Sequence, residues 1–240
     1  MEIFEVLKYK NSNHDLLPEL YPLYYFYKNK KNHKYMIHNT NKQNKNKSIN
    51  NDFMVILNKL SDSNFDELVK DLLKLEIKEE EEIKKFINLI LKKTLYETKF
   101  VNIYVKLIKI ICLENKFNNF QIFLLDKCQE IFDKCLNNEF ERENIKNYII
   151  FIGELYNVDI IQNNVILKCF SNLMSEVNTT SILLMCNLTK TIYNKYIKLN
   201  ADELNLILKK LNELKNDPIV NMKDKFIIMD LFDGINISYL

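Results

Sequence analysis

Glycine scarcity limits the folds that this chain can adopt. Only 2 of its 240 residues are glycine and 3 are proline, although an average chain carries roughly 7% glycine and 5% proline. Tight turns depend on glycine for positive φ angles, and antiparallel sandwiches and barrels need many such turns. An all-β fold is therefore close to excluded. Because 47% of the residues are hydrophobic, the chain can bury a real core, and we predict a helical protein.

The composition also argues against an enzyme. Gly153 and Gly234 lie 81 positions apart, whereas the common phosphate-binding loops need two or three glycines within about six residues. The three histidines, His14, His33 and His38, all lie near the N-terminus, and no C-x-x-C pair occurs. Zinc sites need clustered Cys and His ligands, and nucleophilic catalysis needs a nucleophile beside a base. We expect no catalysis, no cofactor and no metal.

The five cysteines lie among apolar residues at helical spacing. Cys128 and Cys135 are seven positions apart, on one face of a helix, and are predicted to be core thiols. An odd cysteine count without a secretory signal favours a reducing compartment. The best candidate for a membrane span, residues 100–112, is interrupted by Lys106 and Lys109 and is shorter than the span of about 20 residues that a bilayer needs. We expect a soluble cytoplasmic protein that does not contact a membrane.

From residue 65 onward, apolar residues recur every three or four positions, which is the period of an amphipathic helix. Asn- and Asp-rich breaks divide this pattern at intervals of about 20 residues, which predicts nine or ten helices. Consecutive helices would form about five pairs of about 40 residues, the period of HEAT and armadillo arrays. An all-α solenoid of about five HEAT-type pairs is favoured over a compact bundle, because each pair can bury its apolar stripe against the next.

Individual residues predict where helices end and meet. Ser63, with Asp66 three positions later, predicts the start of the second helix. Pro218 suits the first turn of the last helix, and Gly234 suits its end. Gly153 falls inside a helix, where glycine costs about 1 kcal/mol relative to alanine. We therefore expect two helices to approach closely at this position.

Charge divides the chain into three segments. Residues 1–50 carry nine lysines and four acids, and no acid occurs from Lys28 to Lys47. Such a Lys/Asn-rich stretch cannot bury apolar area, so residues 28–50 are predicted to link a short apolar segment, 1–27, to a folded domain, 51–240. The linker is either a solvated spacer or a weak contact for RNA phosphates. The candidate RNA contacts are Lys28, Lys30, Lys31 and Lys34.

Four short motifs go beyond periodicity. They are Val55–Leu60 (VILNKL), Phe123–Gln129 (FLLDKCQ), Asn147–Leu155 (NYIIFIGEL) and a last helix that opens with Lys225–Phe226 and closes with Asp230–Asp233. In order and spacing, these motifs resemble the middle domain of eukaryotic translation initiation factor 4 gamma. The resemblance covers about residues 52–234, and it implies a crescent of five HEAT-type helical pairs.

The resemblance also implies a docking scaffold for factor 4A, the DEAD-box RNA helicase of translation initiation. The candidate helicase contacts are Asn58, Lys59, Glu154 and Lys225. Glu154 could equally be a surface or helix-end residue, and Lys225 stands where the family has an arginine, which keeps the charge but loses the bidentate fork. Gln129 is expected to satisfy a backbone group of a neighbouring repeat.

An apolar and aromatic cluster, LLPELYPLYYFY, closes the segment 1–27. Exposed clusters of this kind mark interfaces. Relatives of the middle-domain family hold a cap-binding protein through a tyrosine, four residues, a leucine and an apolar residue, and Tyr9 with Leu16 and Leu17 forms a loosened version. We expect Tyr9, Leu16, Leu17 and Leu20 to contact a cap-binding protein of the factor 4E type. Alternatively, the cluster packs back onto the first helical pair.

The expected function is that of a minimal translation initiation scaffold, in which everything beyond helicase docking must fit into residues 1–50. One alternative keeps the fold but serves mRNA decay, splicing or nuclear cap binding. Another is an interactor of the poly(A)-binding protein, or a decoy that competes for the helicase. The motifs FLLDKCQ and FIGEL favour the initiation branch.

Overall fold

The structure is a computed structural model that describes residues 43–77, 79–114 and 117–235. Apart from Gln43 and Asn44, these residues belong to one compact unit, Lys45–Leu240. They form ten α-helices and no β-strand, and none of these helices is long and apolar enough to span a bilayer. The helices are α1 (Gln43–Lys59), α2 (Phe65–Lys74), α3 (Glu80–Tyr96), α4 (Val101–Glu114), α5 (Phe120–Leu136), α6 (Arg142–Asn157), α7 (Asn163–Ser175), α8 (Thr179–Leu199), α9 (Ala201–Asn216) and α10 (Met222–Gly234).

The helices form five consecutive pairs that stack side by side. In one row, α4, α6, α8 and α10 each pack against the next member. In the other row, the Phe86 ring of α3 contacts the rings of Phe53 in α1 and Phe120 in α5, with centroids 4.4 and 6.3 Å apart. The chain is therefore an all-α solenoid of HEAT type, and the predicted fold is confirmed.

Helix α6 occupies the middle of the core. The 3.6-residue period predicts an apolar face for this helix, and every member of that face is buried: Ile145, Tyr148, Ile149, Ile152 and Leu155. The opposite side of α6 is buried as well, including Phe151 and Gly153, because α3 and α4 pack on one side and α8 on the other. A helix that is enclosed in this way needs small or apolar residues all round.

Gly153 brings α6 and α8 together, as expected. A Cβ atom built on this residue would lie 2.7 Å from Cγ2 of Thr191 and 3.3 Å from Cγ2 of Ile192, both in α8. Near the end of α6, Lys195 of α8 donates a hydrogen bond of 2.6 Å to the carbonyl oxygen of Tyr156. The last carbonyl groups of a helix lack partners within the helix, so this lysine fixes the end of α6 against α8.

Buried amide side chains join neighbouring repeats. The Nδ2 atom of Asn147, in α6, donates to the carbonyl oxygen of Leu95 near the end of α3, at 2.9 Å. The prediction that Gln129 has this role is wrong. Its Nε2 atom instead donates to Asp133 of the same helix at 2.9 Å, on the exposed surface of α5. Both residues fall inside the motifs noted above, and only the packing of α3 against α6 distinguishes them.

An ion pair with a buried carboxylate joins three helices of one row. The carboxylate of Asp224, in α10, is only 1% exposed and lies 3.1 Å from Nη2 of Arg142 at the start of α6. Its other oxygen accepts hydrogen bonds from Thr179 Oγ1 at the start of α8, at 2.8 Å, and from Asn221 Nδ2, at 2.6 Å. The pair therefore connects the first turns of α6, α8 and α10.

Two of the three predicted helix-end residues are wrong. Helix α2 begins after Asn64 rather than at Ser63, because the Asn64 amide donates to the carbonyl oxygen of Lys59 at 2.7 Å and organises the turn. Pro218 lies in the turn before α10, which begins four residues later, where an asparagine side chain caps the helix. Gly234 is the last residue of α10, as predicted.

Helix α1 begins inside the predicted linker. Residues 43–50 are helical and continue into the first motif of the domain. The segment 1–27 and the linker up to residue 42 lie outside the described residues, so the division of the chain into an apolar segment, a linker and a domain remains a prediction.

Candidate protein-interaction surface

Helix α1 exposes apolar side chains beside two of the candidate helicase contacts. Phe53, Ile56 and Leu57 face the core, which leaves the opposite side of the helix to solvent. On that side lie four exposed residues, Met54, Val55, Asn58 and Lys59. Met54 is one turn from Asn58, and Val55 is one turn from Lys59. We call these four residues the α1 patch. Asn58 and Lys59 are therefore accessible to a partner, and their contact with a helicase stays a prediction.

The last helical pair carries a second exposed apolar surface. Met222 and Phe226 are one turn apart on α10, with 63% and 54% of their surface exposed. Ile219, in the preceding turn, is exposed too, and the candidate contact Lys225 lies half-buried beside Phe226. We call these four residues the α10 patch. A methionine and a phenylalanine exposed side by side are typical of the centre of a protein interface.

Phe226 is exposed although it is a large apolar residue. The core instead receives Ile228, Leu231 and Phe232 together with Asp224. Asp224, Ile228 and Leu231 have the spacing of a helix stripe, but a carboxylate is not expected in the core. The sequence therefore contains the spacing of the buried stripe, but the charge of Asp224 made that stripe difficult to recognise.

Glu154 has a structural role at the end of α6. One of its carboxylate oxygens accepts a hydrogen bond of 3.2 Å from Asn157 Nδ2. The same amide group donates to the carbonyl oxygen of Thr191 in α8, at 3.1 Å. Glu154 is half-buried and supports the α6–α8 contact through Asn157. This agrees with the alternative that Glu154 is a helix-end residue. Contact with a partner stays a prediction.

The candidate helicase contacts do not form a single cluster. They lie on α1, α6 and α10, and no hydrogen bond or ion pair joins Asn58 or Lys59 to Glu154 or Lys225 in the part of the chain that the structure describes. Among the exposed apolar side chains of the described residues, those beside Asn58, Lys59 and Lys225 form the α1 and α10 patches, on the first and last helical pairs. The exposed apolar members of both patches were missed by the sequence analysis.

The remaining candidates lie outside the described residues. This applies to the predicted contacts with a cap-binding protein, Tyr9, Leu16, Leu17 and Leu20, and to the predicted RNA contacts, Lys28, Lys30, Lys31 and Lys34. Their roles stay predictions, and only the linker's last residues, in α1, fall within the structure.

Two of the cysteines are buried thiols. Cys128 and Cys135 are buried, as predicted, and burial raises the pKa of each thiol to about 12. Both therefore stay protonated at neutral pH, and the thiol form is a poor nucleophile. Across the described ranges, no group of three His, Cys, Asp or Glu side chains is arranged to hold a metal ion.

Comparison with known proteins agrees with the solenoid. The sequence model of the MIF4G domain family matches residues 53–234, from the middle of α1 to the end of α10. A von Willebrand factor A domain-containing protein of Dictyostelium discoideum is 22% identical over 205 residues, which cover 75% of this chain. The chain spans only 10% of the length of that relative. Because the family match covers most of the sequence and nearly every helix, this chain belongs to the MIF4G domain family, the middle-domain family of factor 4 gamma-like proteins.

Proposed function

We propose that this chain is a scaffold that docks a DEAD-box RNA helicase of the factor 4A type. MIF4G domains are helical protein-interaction scaffolds and not a catalytic family. The observation that carries the proposal is the pair of exposed apolar patches on the first and last helical pairs. Each patch lies beside residues that the family resemblance assigns to the helicase. A partner with two lobes can contact both patches at once, and this is the architecture of DEAD-box helicases.

The composition of the patches supports a protein partner. Burial of a methionine or phenylalanine side chain contributes about 1.5–3 kcal/mol, and Met222 and Phe226 are both available for burial. Lys59 and Lys225 add charge at the rim, where charged groups steer the encounter more than they raise affinity. A scaffold that binds both lobes favours one relative orientation of them, and it activates the helicase only through that differential affinity.

The proposal extends to the N-terminal segment. Residues 1–27 tether a cap-binding protein of the factor 4E type through Tyr9, Leu16, Leu17 and Leu20. The lysines of the linker add a weak contact with RNA, which lies close to a bound helicase. In this arrangement the chain acts in the cytoplasm and brings the helicase to capped mRNA.

The second candidate function keeps the scaffold and changes the pathway. Family membership alone is compatible with an adaptor in mRNA decay, splicing or nuclear cap binding. A poly(A)-binding-protein interactor and a helicase decoy use the same surfaces. The identity of the helicase that co-purifies with the chain from its native cell distinguishes these functions, and a decoy lowers the RNA-stimulated ATPase activity of the helicase where an activator raises it.

Loss of the α10 patch should weaken helicase binding. The double variant Met222→Ala and Phe226→Ala is expected to weaken the affinity for factor 4A at least tenfold, because truncation of central apolar anchors costs about 2 kcal/mol or more. Both side chains are exposed, so the melting temperature should not fall. Calorimetric titration of purified factor 4A with the full chain measures the change. Leu206→Ala is the matched control, because Leu206 is an equally exposed apolar residue in α9, outside both patches.

Two results would contradict the helicase proposal. One is the absence of binding at tens of micromolar with any factor 4A from the native cell. The other is an equal affinity of the double variant and the unaltered chain, which would mean that helicase binding does not use the α10 patch. Binding that lowers the RNA-stimulated ATPase activity supports the decoy in place of the activator.

Deletion of residues 1–30 should separate the two proposed activities. The shortened chain is expected to lose binding to the cap-binding protein and to keep both helicase binding and its melting temperature, because the solenoid begins later, at Gln43. Pull-down with both partners and thermal unfolding measure the three properties. If the deletion unfolds the domain instead, the apolar cluster belongs to the core and the tethering proposal has to be withdrawn.

A further inference from the structure

Arg142 is the sole arginine among the 34 lysines and arginines of the chain. It lines an open cleft of about 430 Å³ beside the turns that precede α6 and α8. Besides Arg142, the lining consists of two apolar residues, Phe140 and Ile145, and four polar residues, Asn138, Asn178, Thr179 and Thr180. This cleft lies apart from the α1 patch and shares no residue with the α10 patch.

The amide oxygens of Asn138 and Asn178 in the cleft are already engaged, whereas the hydroxyl oxygen of Thr180 keeps acceptor capacity. The Oδ1 atom of Asn138 accepts a hydrogen bond from Thr180 Oγ1. The Oδ1 atom of Asn178 accepts from the backbone N–H groups of Thr180 and Ser181, at 2.9 and 3.0 Å. Behind Arg142, both carboxylate oxygens of the buried Asp224 are engaged by the network described above. Little acceptor capacity is left for a ligand.

The donors of the cleft remain available. Only Nη2 of Arg142 contacts Asp224, although a guanidinium carries five N–H groups. The Nδ2 groups of Asn138 and Asn178 also have no hydrogen-bond partner within the described residues. The side chain of Arg142 is 34% exposed, so solvent or a ligand can reach its remaining donors. A cleft in which free donors outnumber free acceptors favours a ligand group that only accepts, such as a carboxylate or a phosphate.

The surrounding charges favour a carboxylate on a protein over the phosphates of RNA. Glu139, Glu141 and Glu143 are all exposed and flank Arg142 along the chain. These acids repel a polyanion and attract cationic side chains. Phe140 and Ile145 offer apolar contact to a peptide. The arginine provides what a lysine cannot, because its planar fork serves Asp224 and a second carboxylate at the same time.

We propose that the Arg142 cleft binds a short segment of a protein partner, one that presents a single Asp or Glu carboxylate between lysine or arginine residues. The carboxylate accepts hydrogen bonds from Arg142 and from the amide groups of Asn138 and Asn178. The basic neighbours of that carboxylate pair with the exposed glutamates that flank Arg142 in the chain, of which Glu143 lies 3.8 Å from Lys146. This site is separate from helicase docking, and its existence does not depend on the proposed function.

The sole arginine makes the proposal directly measurable. The full chain labelled with ¹⁵N contains one arginine Nε–Hε resonance, which needs no assignment by mutation. The probes are the peptide acetyl-KKLELKK-amide, its glutamine counterpart acetyl-KKLQLKK-amide, and hexauridylate RNA. We expect the glutamate peptide to shift the Arg142 resonance and to bind at least tenfold more tightly than the glutamine peptide. Hexauridylate should leave the resonance in place at the same concentrations.

The variant Asn138→Asp tests the role of the Asn138 amide donor in binding. It keeps an oxygen for the hydrogen bond from Thr180, and aspartate tolerates the left-handed backbone of this position, where φ is 57°. It replaces a free donor by a negative charge, so the glutamate peptide should bind at least tenfold more weakly, with the melting temperature retained. Arg142→Lys, followed by fluorescence anisotropy of labelled peptide, should also weaken binding at least fivefold.

Four results would each overturn the proposal. They are equal affinities for the two peptides, an unchanged affinity of Asn138→Asp, no shift of the arginine resonance by the glutamate peptide at millimolar concentration, and a shift by hexauridylate at lower concentration than by the peptide. The last result would identify the cleft as a phosphate site.

Discussion

The variant Gly153→Leu is expected to lower the free energy of unfolding by about 3 kcal/mol, at the upper end of the cost of overpacking a core. Even the first added carbon, Cβ, would lie 2.7 Å from Cγ2 and 2.9 Å from Cβ of Thr191. The second of these atoms is attached to the backbone of α8 and cannot move unless that helix moves. The gain in helix propensity on replacing glycine, about 1 kcal/mol, is too small to compensate.

Thermal unfolding measures this effect, because a change of 1 kcal/mol shifts the melting temperature of a domain of this size by about 2–4 °C. Gly234→Ala is the matched control. Gly234 has no positive φ, and its added Cβ would meet only the flexible end of the Lys190 side chain, at 3.3 Å. Gly153→Ala should fall between the two. An unchanged melting temperature for Gly153→Leu would show that α6 and α8 do not approach at this position.

Arg142→Met is expected to destabilise the protein by about 3 kcal/mol, because it leaves a buried carboxylate without its cationic partner. Asp224 is 1% exposed and cannot turn to water. After the substitution, only the neutral hydrogen bonds from Thr179 and Asn221 remain to it. The methionine retains most of the apolar length of the arginine, so the loss reports on the charge pair and not on a cavity. Chemical denaturation at neutral pH measures it.

Substitution of the acidic partner, Asp224, should lower the free energy of unfolding less than Arg142→Met does. Asp224→Asn removes the buried charge and leaves Arg142, which is 34% exposed and reaches solvent. We therefore expect a loss smaller than that of Arg142→Met by at least about 1 kcal/mol, since the penalty of an unpaired charge depends on its burial. The double variant should be more stable than the sum of the two single effects predicts, because the pair is coupled. A larger effect of Asp224→Asn would contradict this account of the ion pair.

The positions of helices could be predicted because their signal is local. An apolar residue every three or four positions identifies a helix wherever it packs, and the buried residues of α6 follow that period. Gly153 was predicted correctly for a similar reason, since glycine inside a helix is unfavourable unless a neighbour needs the space. The family was predicted from four motifs whose order survives in this chain, and the match over residues 53–234 confirms it.

The incorrect predictions concern residues whose surroundings are formed by distant parts of the chain. Ser63 and Asn64 are equally good helix caps by sequence, and the hydrogen bond of Asn64 to the end of α1 decided between them. Phe226 looks like a core residue and is exposed, because the neighbouring helices cover the other side of α10. Gln129 was expected to link neighbouring repeats, whereas the structure shows that Asn147 has this role and that Gln129 bonds within its own helix.

Glycine scarcity, apolar period and motif order are properties of neighbouring residues, and they were sufficient to predict a helical protein, the approximate positions of its helices and its family. Which side chains remain exposed for a partner, and which polar groups are buried, depends on how the helices pack. Arg142 and Asp224 are 82 positions apart and meet only because α6, α8 and α10 stack in one row. Burial and pairing depend on the helices that pack against a residue, and the local sequence does not contain that information.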